Sequence, residues 1–351
     1  MNIFCDLHHS SLYTSFQLLF EKRLGHTLYR PIGTQWFDKG FWHLAKPYND
    51  NPDTIQQYLG IRDVAFQPKD GTHALNDIKT FNKSYKIQGY PYDHNAITFE
   101  QFLEMDIDII VASYQPHYEA YTKLRDTYKP DAKVICHAGN EWPIDFNVTR
   151  NLLSSTLPFG TPNNVNVCWY HQEFDLNVFK FNPPSYSKTI TSFVNTLGQQ
   201  DLFKKDWEDF LKLESFMPEY QFKAHGASTR DGLILEQKDI ADKMSRSAWG
   251  LHLKHGGDGY GHTLFNWFAC GRPLIFRGSQ YKNRLGGLLL EHKVTGLDID
   301  KITLVDVAKI ITSMNEDEYN TYCDNVYNRF TDQVNFDEEE KDIKLFLKNL
   351  Q

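Results

Sequence analysis

The feature that most constrains the fold is an alternation of short apolar segments with amphipathic ones along the first 140 of the 351 residues. The predicted strands are NIFCDL, TLYRP, IDIIVAS and AKVICH. The predicted helices between them are 11–24, FEQFLEM and YEAYTKLRDTY. Because strands that alternate with helices form parallel sheets with right-handed crossovers, this half is predicted to be an α/β domain.

The alternation stops at 175–188, where FKFNPPSYSK has little helical potential and predicts a linker. It then restarts. The second set of predicted strands is TITSFVN, YQFKAH, WGLHLK and RPLIF, and the helices are FKKDWEDFLKL, DIADKMSRS and HTLFNWFAC. We therefore expect two Rossmann-like parallel-sheet domains that face each other across a cleft, with ligands at the carboxyl ends of the strands.

The expected boundaries are 1–178 for the first domain and 179–320 for the second, with an irregular insertion at about 32–98. Residues 321–351 are predicted to form helices that cross back to the first domain. Four apolar residues of this tail follow helical spacing and require a partner surface: Ile343, Phe346, Leu347 and Leu350.

Composition narrows the function classes. The net charge of −8 disfavours nonspecific binding to nucleic acid, although a local basic groove stays open. No apolar run approaches the roughly 20 residues of a membrane span, and the first residues lack the pattern of a signal peptide, so a cytoplasmic protein is expected. Five scattered cysteines without CxxC spacing predict neither disulfides nor a zinc site, and Cys5, Cys136 and Cys270 are expected to be buried.

The stretch HGGDGYGHTLFNWFACGRPLIF, residues 255–276, places a glycine-rich turn before a helix. Glycines allow close approach of a ligand, and a helix start offers N–H groups and partial positive charge, so an anion such as a phosphate fits there. His262 and Thr263 fall in the first turn, Asn266 lies one turn later on the same face, and Asp258 precedes the helix. A tight turn at Gly259 and Gly261, with an Asn266 that caps the helix or bridges within the core, is the simpler alternative.

This stretch resembles the nucleotide-binding signature of GT-B glycosyltransferases, notably the retaining family 4. The signature Glu-Gly-Phe-Gly followed by Glu-Ala-Met-Ala-Cys-Gly-x-Pro-Val-Ile corresponds to DGYG at 258–261 and NWFACGRPLI at 266–275. The two glutamates of the family become Asp258 and Asn266. The resemblance implies that Asp258 contacts the donor sugar and has a catalytic role, and that Asn266 contacts the nucleotide ribose.

The donor-binding set that follows from the glycine-rich turn and this resemblance is Gly259, Tyr260, Gly261, His262, Thr263, Asn266, Lys254 and His255. One departure concerns charge, because Thr196 and Gln200 stand near the places where the family often has an arginine and a lysine for the diphosphate. Replacement cations are sought among Lys254, His255, Arg230, Arg277 and Lys282, each of which is alternatively an ordinary surface residue.

In the first domain, the family often places a histidine at the end of a strand that faces the cleft. His137 in VICHAGNEW matches this position and is assigned a catalytic role, with a histidine of purely structural function as the alternative. His8 and His9 follow the first strand, and Glu141 follows His137. These three residues are assigned to the acceptor side. A metal site at the histidine pair lacks enough carboxylate partners, so none is predicted.

The expected function is that of a hexosyltransferase-like enzyme, which moves a sugar from a nucleotide-diphosphate sugar to an acceptor hydroxyl. The resemblance implies retention of configuration and no metal or other cofactor. Two alternatives remain: a sugar-nucleotide epimerase or hydrolase of the same fold, and a catalytically weak sugar-nucleotide-binding scaffold. The sequence leaves open the donor base and sugar, the acceptor and the oligomeric state.

Overall fold

The computed structural model describes residues 1–6, 10–32, 36, 86, 92–140, 143–156, 162–182, 187–198, 201–256 and 259–351. These residues form two compact units. The first comprises Met1–Phe174 together with Phe336–Gln351, and the second comprises Asp175–Asn335. Each unit contains one fully parallel sheet, as the strand–helix alternation predicts.

The first unit contains a seven-stranded sheet in the order β3-β2-β1-β4-β5-β6-β7. Its strands are β1 Asn2–Cys5, β2 Thr27–Pro31, β3 Asn95–Ile97, β4 Ile109–Ala112, β5 Lys133–Ala138, β6 Asn151–Ser154 and β7 Asn166–Trp169. Its helices are α1 Ser10–Phe16, which continues as a π-helical turn at Gln17–Arg23, α2 Phe99–Glu104 and α3 Tyr118–Tyr128. The strand order reverses between β1 and β4, which pair with Phe4 opposite Ile110.

Apolar residues cover both faces of the first sheet. Along β1, Ile3 and Cys5 belong to one buried cluster, whereas Phe4 belongs to another. The same alternation recurs in β4, where Ile109 and Val111 point to the first cluster. Successive side chains of a strand point to opposite faces, so the two clusters lie on either side of the sheet. A parallel sheet buried on both faces explains why its strands are nearly continuous apolar runs.

The second unit contains a five-stranded sheet in the order β12-β11-β10-β8-β9. Its strands are β8 Thr189–Phe193, β9 Gln221–His225, β10 Trp249–His252, β11 Leu274–Phe276 and β12 Gly296–Asp298. Its helices are α4 Lys204–Phe216, α5 Gln237–Arg246, α6 His262–Ala269, α7 Gly278–Tyr281, α8 Leu285–Leu289, α9 Leu304–Ser313 and α10 Glu316–Gln333. Here the order reverses between β8 and β10.

Strands β3, β6, β7 and β12 were not among the predicted elements. Strand β3 falls within the segment predicted to be an irregular insertion, and its residues 95–97 extend the sheet beside β2. Each of these strands has three or four residues.

A last helix, α11 at Phe336–Lys348, belongs to the first unit. Ile343 and Phe346 are buried in one of its two apolar clusters, and Leu347 and Leu350 pack against the same cluster. The return to the first unit is thus made by 336–351, whereas residues 321–335 of the predicted crossing segment belong to the second unit.

Polar contacts fix the start of α11 beside the point where the chain leaves the first unit. Arg23 donates to Glu173 and to Asp337, each at 2.6 Å. The Phe174 and Phe336 rings pack edge to face with centroids 5.9 Å apart. The two ends of the first unit's chain segments therefore lie side by side.

All five cysteines are free and buried, which confirms the prediction for Cys5, Cys136 and Cys270. Among the described residues, none of the helices has the length and apolar character needed to cross a membrane.

Candidate functional site

The candidate donor site lies where strand order reverses in the second sheet. Ligands of open parallel sheets bind outside the carboxyl ends of the strands at such a reversal, here between β8 and β10. Helix α6 follows β10 and begins at His262, so its first turn lies beyond the carboxyl end of that strand. The predicted set from Gly259 to Asn266 is therefore gathered in one place.

Gly261 shapes the start of this helix. Its φ of +78° lies in the left-handed region, which glycine adopts without steric strain. A Cβ at this position would lie 3.0 Å from Cε1 of Tyr281. The Tyr281 hydroxyl in turn lies 2.6 Å from Nε2 of His252, the last residue of β10. This chain of contacts ties the helix start to the strand that precedes it.

The apolar run of α6 packs into the unit. Leu264, Phe265, Trp267 and Phe268 are all buried. The Tyr260 ring is also buried and stacks on Phe265 with centroids 4.3 Å apart, so this predicted donor-binding side chain contributes packing. His262 and Thr263 are partly exposed and stay at the open side of the first turn.

Asn266 is the polar exception within this run. Its side chain is only 6% exposed, and its Oδ1 is buried without a hydrogen-bond partner. Buried polar atoms in native proteins are normally paired, and an unpaired one often marks a site that a ligand or water fills. Because positions four apart share a helix face, Asn266 lies on the same face as His262, one turn further from the start of the helix. Its oxygen can accept a hydrogen bond from a hydroxyl of a ligand bound there.

Two of the basic residues considered as replacement cations are engaged by carboxylates. Arg230 donates to both oxygens of Glu214, at 2.9 and 3.0 Å. Arg277 is mostly buried and pairs with three carboxylates: Asp206 at 3.5 Å, Asp209 at 2.9 Å and Asp300 at 3.2 Å. Releasing either arginine for a phosphate would break these ion pairs. Lys282 is exposed.

His255 and Lys254 lie in the loop after β10. The His255 Nδ1 is 2.5 Å from Oδ1 of Asp206, a carboxylate that is fully buried at the start of α4. The His255 side chain itself keeps 29% of its surface exposed. Neither Asp206 nor Asp209 was predicted to be a site residue. Acidic residues three positions apart on an amphipathic helix usually belong to its solvent-exposed face.

Four predicted site residues lie outside the described part of the chain: His8, His9, Glu141 and Asp258. Their assigned roles stay predictions. Gln200, one of the two positions that replace the family's basic residues, also lies outside the described residues. Thr196, the other position, has a φ of +58° and donates its backbone N–H to the Ala227 oxygen at 2.7 Å.

His137 occupies the interior of the first unit. It has no exposed surface; its Nε2 lies 2.9 Å from the Tyr170 hydroxyl and its Nδ1 lies 3.3 Å from the Ser113 carbonyl oxygen. Burial lowers the pKa of this imidazole to about 4, so the ring is neutral at pH 7. This is the environment of a core histidine. The predicted catalytic role would require that environment to open.

Asp6 and Ser113 lie in contact where strand order reverses in the first sheet, and this pair was not predicted from the sequence. Asp6 follows β1, Ser113 follows β4, and Ser113 Oγ donates to Asp6 Oδ1 at 2.6 Å. Burial raises the pKa of Asp6 to about 6, against the opposing effect of hydrogen bonds from Ser113 and Tyr121.

Within the described ranges, no group of three or more His, Cys, Asp and Glu side chains is arranged to hold a metal ion.

The sequence matches no protein-family model and no curated protein. Solved structures do match. The Anabaena protein HepE in complex with UDP has a TM-score of 0.62 at 11% identity, over 99% of this chain and all of that one. An α-glucosyltransferase in complex with UDP and a 13-mer DNA containing an HMU base has a TM-score of 0.61 at 11% identity, with 99% and 100% coverage.

A third similar structure is that of a trehalose-6-phosphate protein from E. coli bound with UDP-2-fluoro glucose, with a TM-score of 0.60 at 10% identity over the whole of both chains. These neighbours are GT-B glycosyltransferases. The chain has the GT-B fold. At about one identical residue in nine, the likeness establishes the fold and leaves the activity to be argued from the site.

Proposed function

We propose that the protein is a glycosyltransferase that moves a hexose from a nucleotide-diphosphate sugar to an acceptor hydroxyl, with retention of configuration and without a metal ion. The observation that carries the proposal is the start of α6, where a glycine turn at the reversal point of a parallel sheet is backed by the unpartnered Oδ1 of Asn266. Similar folds in complex with UDP or UDP-sugars support the choice of ligand.

Each part of the site has a physical task in this reaction. The first-turn N–H groups of α6 and the helix dipole stabilise the negative charge that grows on the departing diphosphate. Asn266 Oδ1 accepts from a ribose hydroxyl, since phosphate oxygens without protons donate nothing. Asp258, by the resemblance of its stretch to the family signature, binds hydroxyls of the donor sugar. The first unit binds the acceptor.

The test is to incubate the full chain with labelled UDP-, GDP- and ADP-sugars, with and without candidate acceptor alcohols. Transfer or slow release of sugar from one donor is expected, and Asp258→Ala is expected to reduce it about 100-fold, the scale of a lost transition-state contact. The anomeric proton of the product, followed by NMR, reports retention or inversion. No turnover with any donor would contradict the proposal.

One observation favours a second candidate, a protein that binds a nucleotide sugar without turning it over. Arg230 and Arg277, two of the residues considered as replacements for the family's diphosphate ligands, form ion pairs with carboxylates. Binding of a UDP-sugar without hydrolysis or transfer would select this candidate, whereas interconversion of the sugar would select an epimerase.

A further inference from the structure

The departing diphosphate of the proposed reaction carries charge that calls for a cationic partner. The positions where the family often has an arginine and a lysine hold Thr196 and Gln200, and Arg230 and Arg277 are paired with acidic side chains. A cation that serves the diphosphate should lie at the reversal point of the second sheet and have one polar face open to a ligand. His255 meets both conditions.

The contact between His255 and Asp206 bridges the reversal point. Asp206 lies on α4, the helix that follows β8, and His255 lies in the loop that follows β10. β8 and β10 are the two neighbouring strands between which the strand order reverses. The 2.5 Å contact therefore joins the two connections that border the predicted donor site.

The contact with Asp206 uses one of the two ring nitrogens of His255. Nδ1 faces Oδ1 of Asp206, whose side chain is fully buried, while the His255 side chain keeps 29% of its surface exposed. A carboxylate that accepts from Nδ1–H fixes the orientation of the ring. It leaves Nε2, which carries a proton and can donate only when the ring is an imidazolium, for another partner.

The two members of the pair also differ in their exposure to solvent. When the ring is protonated, Asp206 and His255 form an ion pair whose negative end is buried and whose positive end is exposed. Arg277 shares the same carboxylate oxygen at 3.5 Å and balances it further from inside the unit. An anion that approaches from solvent meets the partly exposed imidazole before the buried carboxylate, at the same edge of the sheet as the N-terminal turn of α6.

We propose that Asp206 positions His255 to donate from Nε2 to a phosphate oxygen of the nucleoside diphosphate, so that this pair replaces the basic side chains that the family often has near positions 196 and 200. The inference rests on the proposed function and names His255 as the diphosphate contact and Asp206 as its positioning residue. No covalent step is involved.

The test compares UDP with uridine, which lacks the phosphates, by titration calorimetry on the full chain. His255→Ala should weaken UDP binding about tenfold or more, the scale of a charge-assisted hydrogen bond, and leave uridine binding unchanged. His292→Ala, which alters another partly exposed histidine of the same unit, serves as the matched control and should change neither affinity. Thermal unfolding of each variant checks that the fold is retained.

Asp206 is tested through its effect on His255. Asp206→Ala should lower the ratio of UDP to uridine affinity, and Asp206→Asn, which keeps an oxygen able to accept from Nδ1–H, should restore part of it. The double variant with His255→Ala should be no worse in this ratio than His255→Ala alone, because Asp206 acts through the ring. A merely structural role would instead give losses that add and that affect both ligands.

The outcomes separate the two proposals. Failure of the wild-type chain to bind UDP, GDP or ADP would overturn the proposed function and this inference with it. Wild-type binding of UDP with an unchanged affinity in His255→Ala would overturn the inference alone. Equal weakening of UDP and uridine in a folded His255→Ala variant would also overturn it, since the contact would not be with phosphate.

Discussion

Asn266 carries a buried amide oxygen without a partner, and such an atom lowers the stability of the free protein unless a ligand satisfies it. Asn266→Ala removes both the unsatisfied acceptor and the proposed ribose contact. We expect the melting temperature of the free variant to stay near that of the wild type, while its affinity for UDP falls about tenfold, as for one lost hydrogen bond.

Differential scanning calorimetry and binding titrations check this expectation. A variant that loses several kcal/mol of stability and keeps its UDP affinity would show that Asn266 is a structural bridge, as the simpler alternative holds.

Asp6 gives a pH-dependent prediction. Burial raises the folded-state pKa of its carboxyl to about 6, against 3.8 in the unfolded chain. The folded state therefore holds this proton between pH 3.8 and 6 while the unfolded state releases it, so the contribution of Asp6 to stability is present at low pH and lost as the pH rises through this window. Above pH 6 the folded protein carries a buried carboxylate at a cost.

Asp6→Asn keeps an oxygen that accepts from Ser113 and removes the ionisation. We expect it to raise the free energy of unfolding at pH 7.5 by up to about 3 kcal/mol, with the gain shrinking as the pH falls towards 4. Urea unfolding at several pH values measures this. Equal destabilisation at every pH would contradict it.

At the scale of elements, the start of α6 depends on a left-handed residue at Gly261. Gly261→Ala brings both backbone strain and a Cβ at 3.0 Å from the Tyr281 ring. Gly232 has nearly the same φ, +77° against +78°, with nothing within 4 Å of its Cβ position. Gly232→Ala therefore carries the strain alone.

Urea unfolding should show a loss of about 1 kcal/mol for Gly232→Ala and a larger loss for Gly261→Ala. Because the Tyr281 ring would move away from the helix start, UDP binding should weaken only in the Gly261 variant. Equal effects of the two substitutions on stability and binding would show that the contact with Tyr281 does not shape the helix start.

Helix α11 contributes its apolar face to the first unit. Phe346 is 3% exposed there, whereas the adjacent Leu345 is 59% exposed. Phe346→Ala should destabilise the first unit by about 3–5 kcal/mol and Leu345→Ala by less than about 0.5 kcal/mol.

Hydrogen exchange locates the effect. Amides of β1 and β7 should exchange faster in the Phe346 variant than in the Leu345 variant, and those of β10 should not. Faster exchange confined to the second unit would show that α11 stabilises that unit instead.

For the whole molecule, strand–helix alternation predicted the two parallel sheets, and the resemblance of residues 258–275 to the family signature implied the GT-B fold. Long apolar strands such as IDIIVAS and periodic helices such as YEAYTKLRDTY carry that information locally. Strand β12 was missed because its sequence, Gly-Leu-Asp, has one large apolar residue and forms no apolar run. The burial of His137 could not be predicted, because the side chain of a histidine at the end of a strand can point into the core or away from it. Its tertiary contacts with Tyr170 and Ser113 show that it lies in the core.

The site divides in the same way. The glycine turn and Asn266 were predicted because they follow one another in sequence within a recognisable signature. The Asp206–His255 pair joins residues 49 positions apart, which requires the order of strands in the sheet to be known. The ion pairs of Arg230 and Arg277 could not be predicted either, because the sequence position of a basic residue does not show which carboxylates lie near it in the folded protein.

The most direct test of the central claim is a crystal structure of the full chain with UDP. We expect the diphosphate at the start of α6, with phosphate oxygens about 2.7–3.2 Å from N–H groups of its first turn, and a ribose hydroxyl within hydrogen-bond distance of Asn266 Oδ1. UDP bound at another edge of the molecule, with the start of α6 empty, would contradict it.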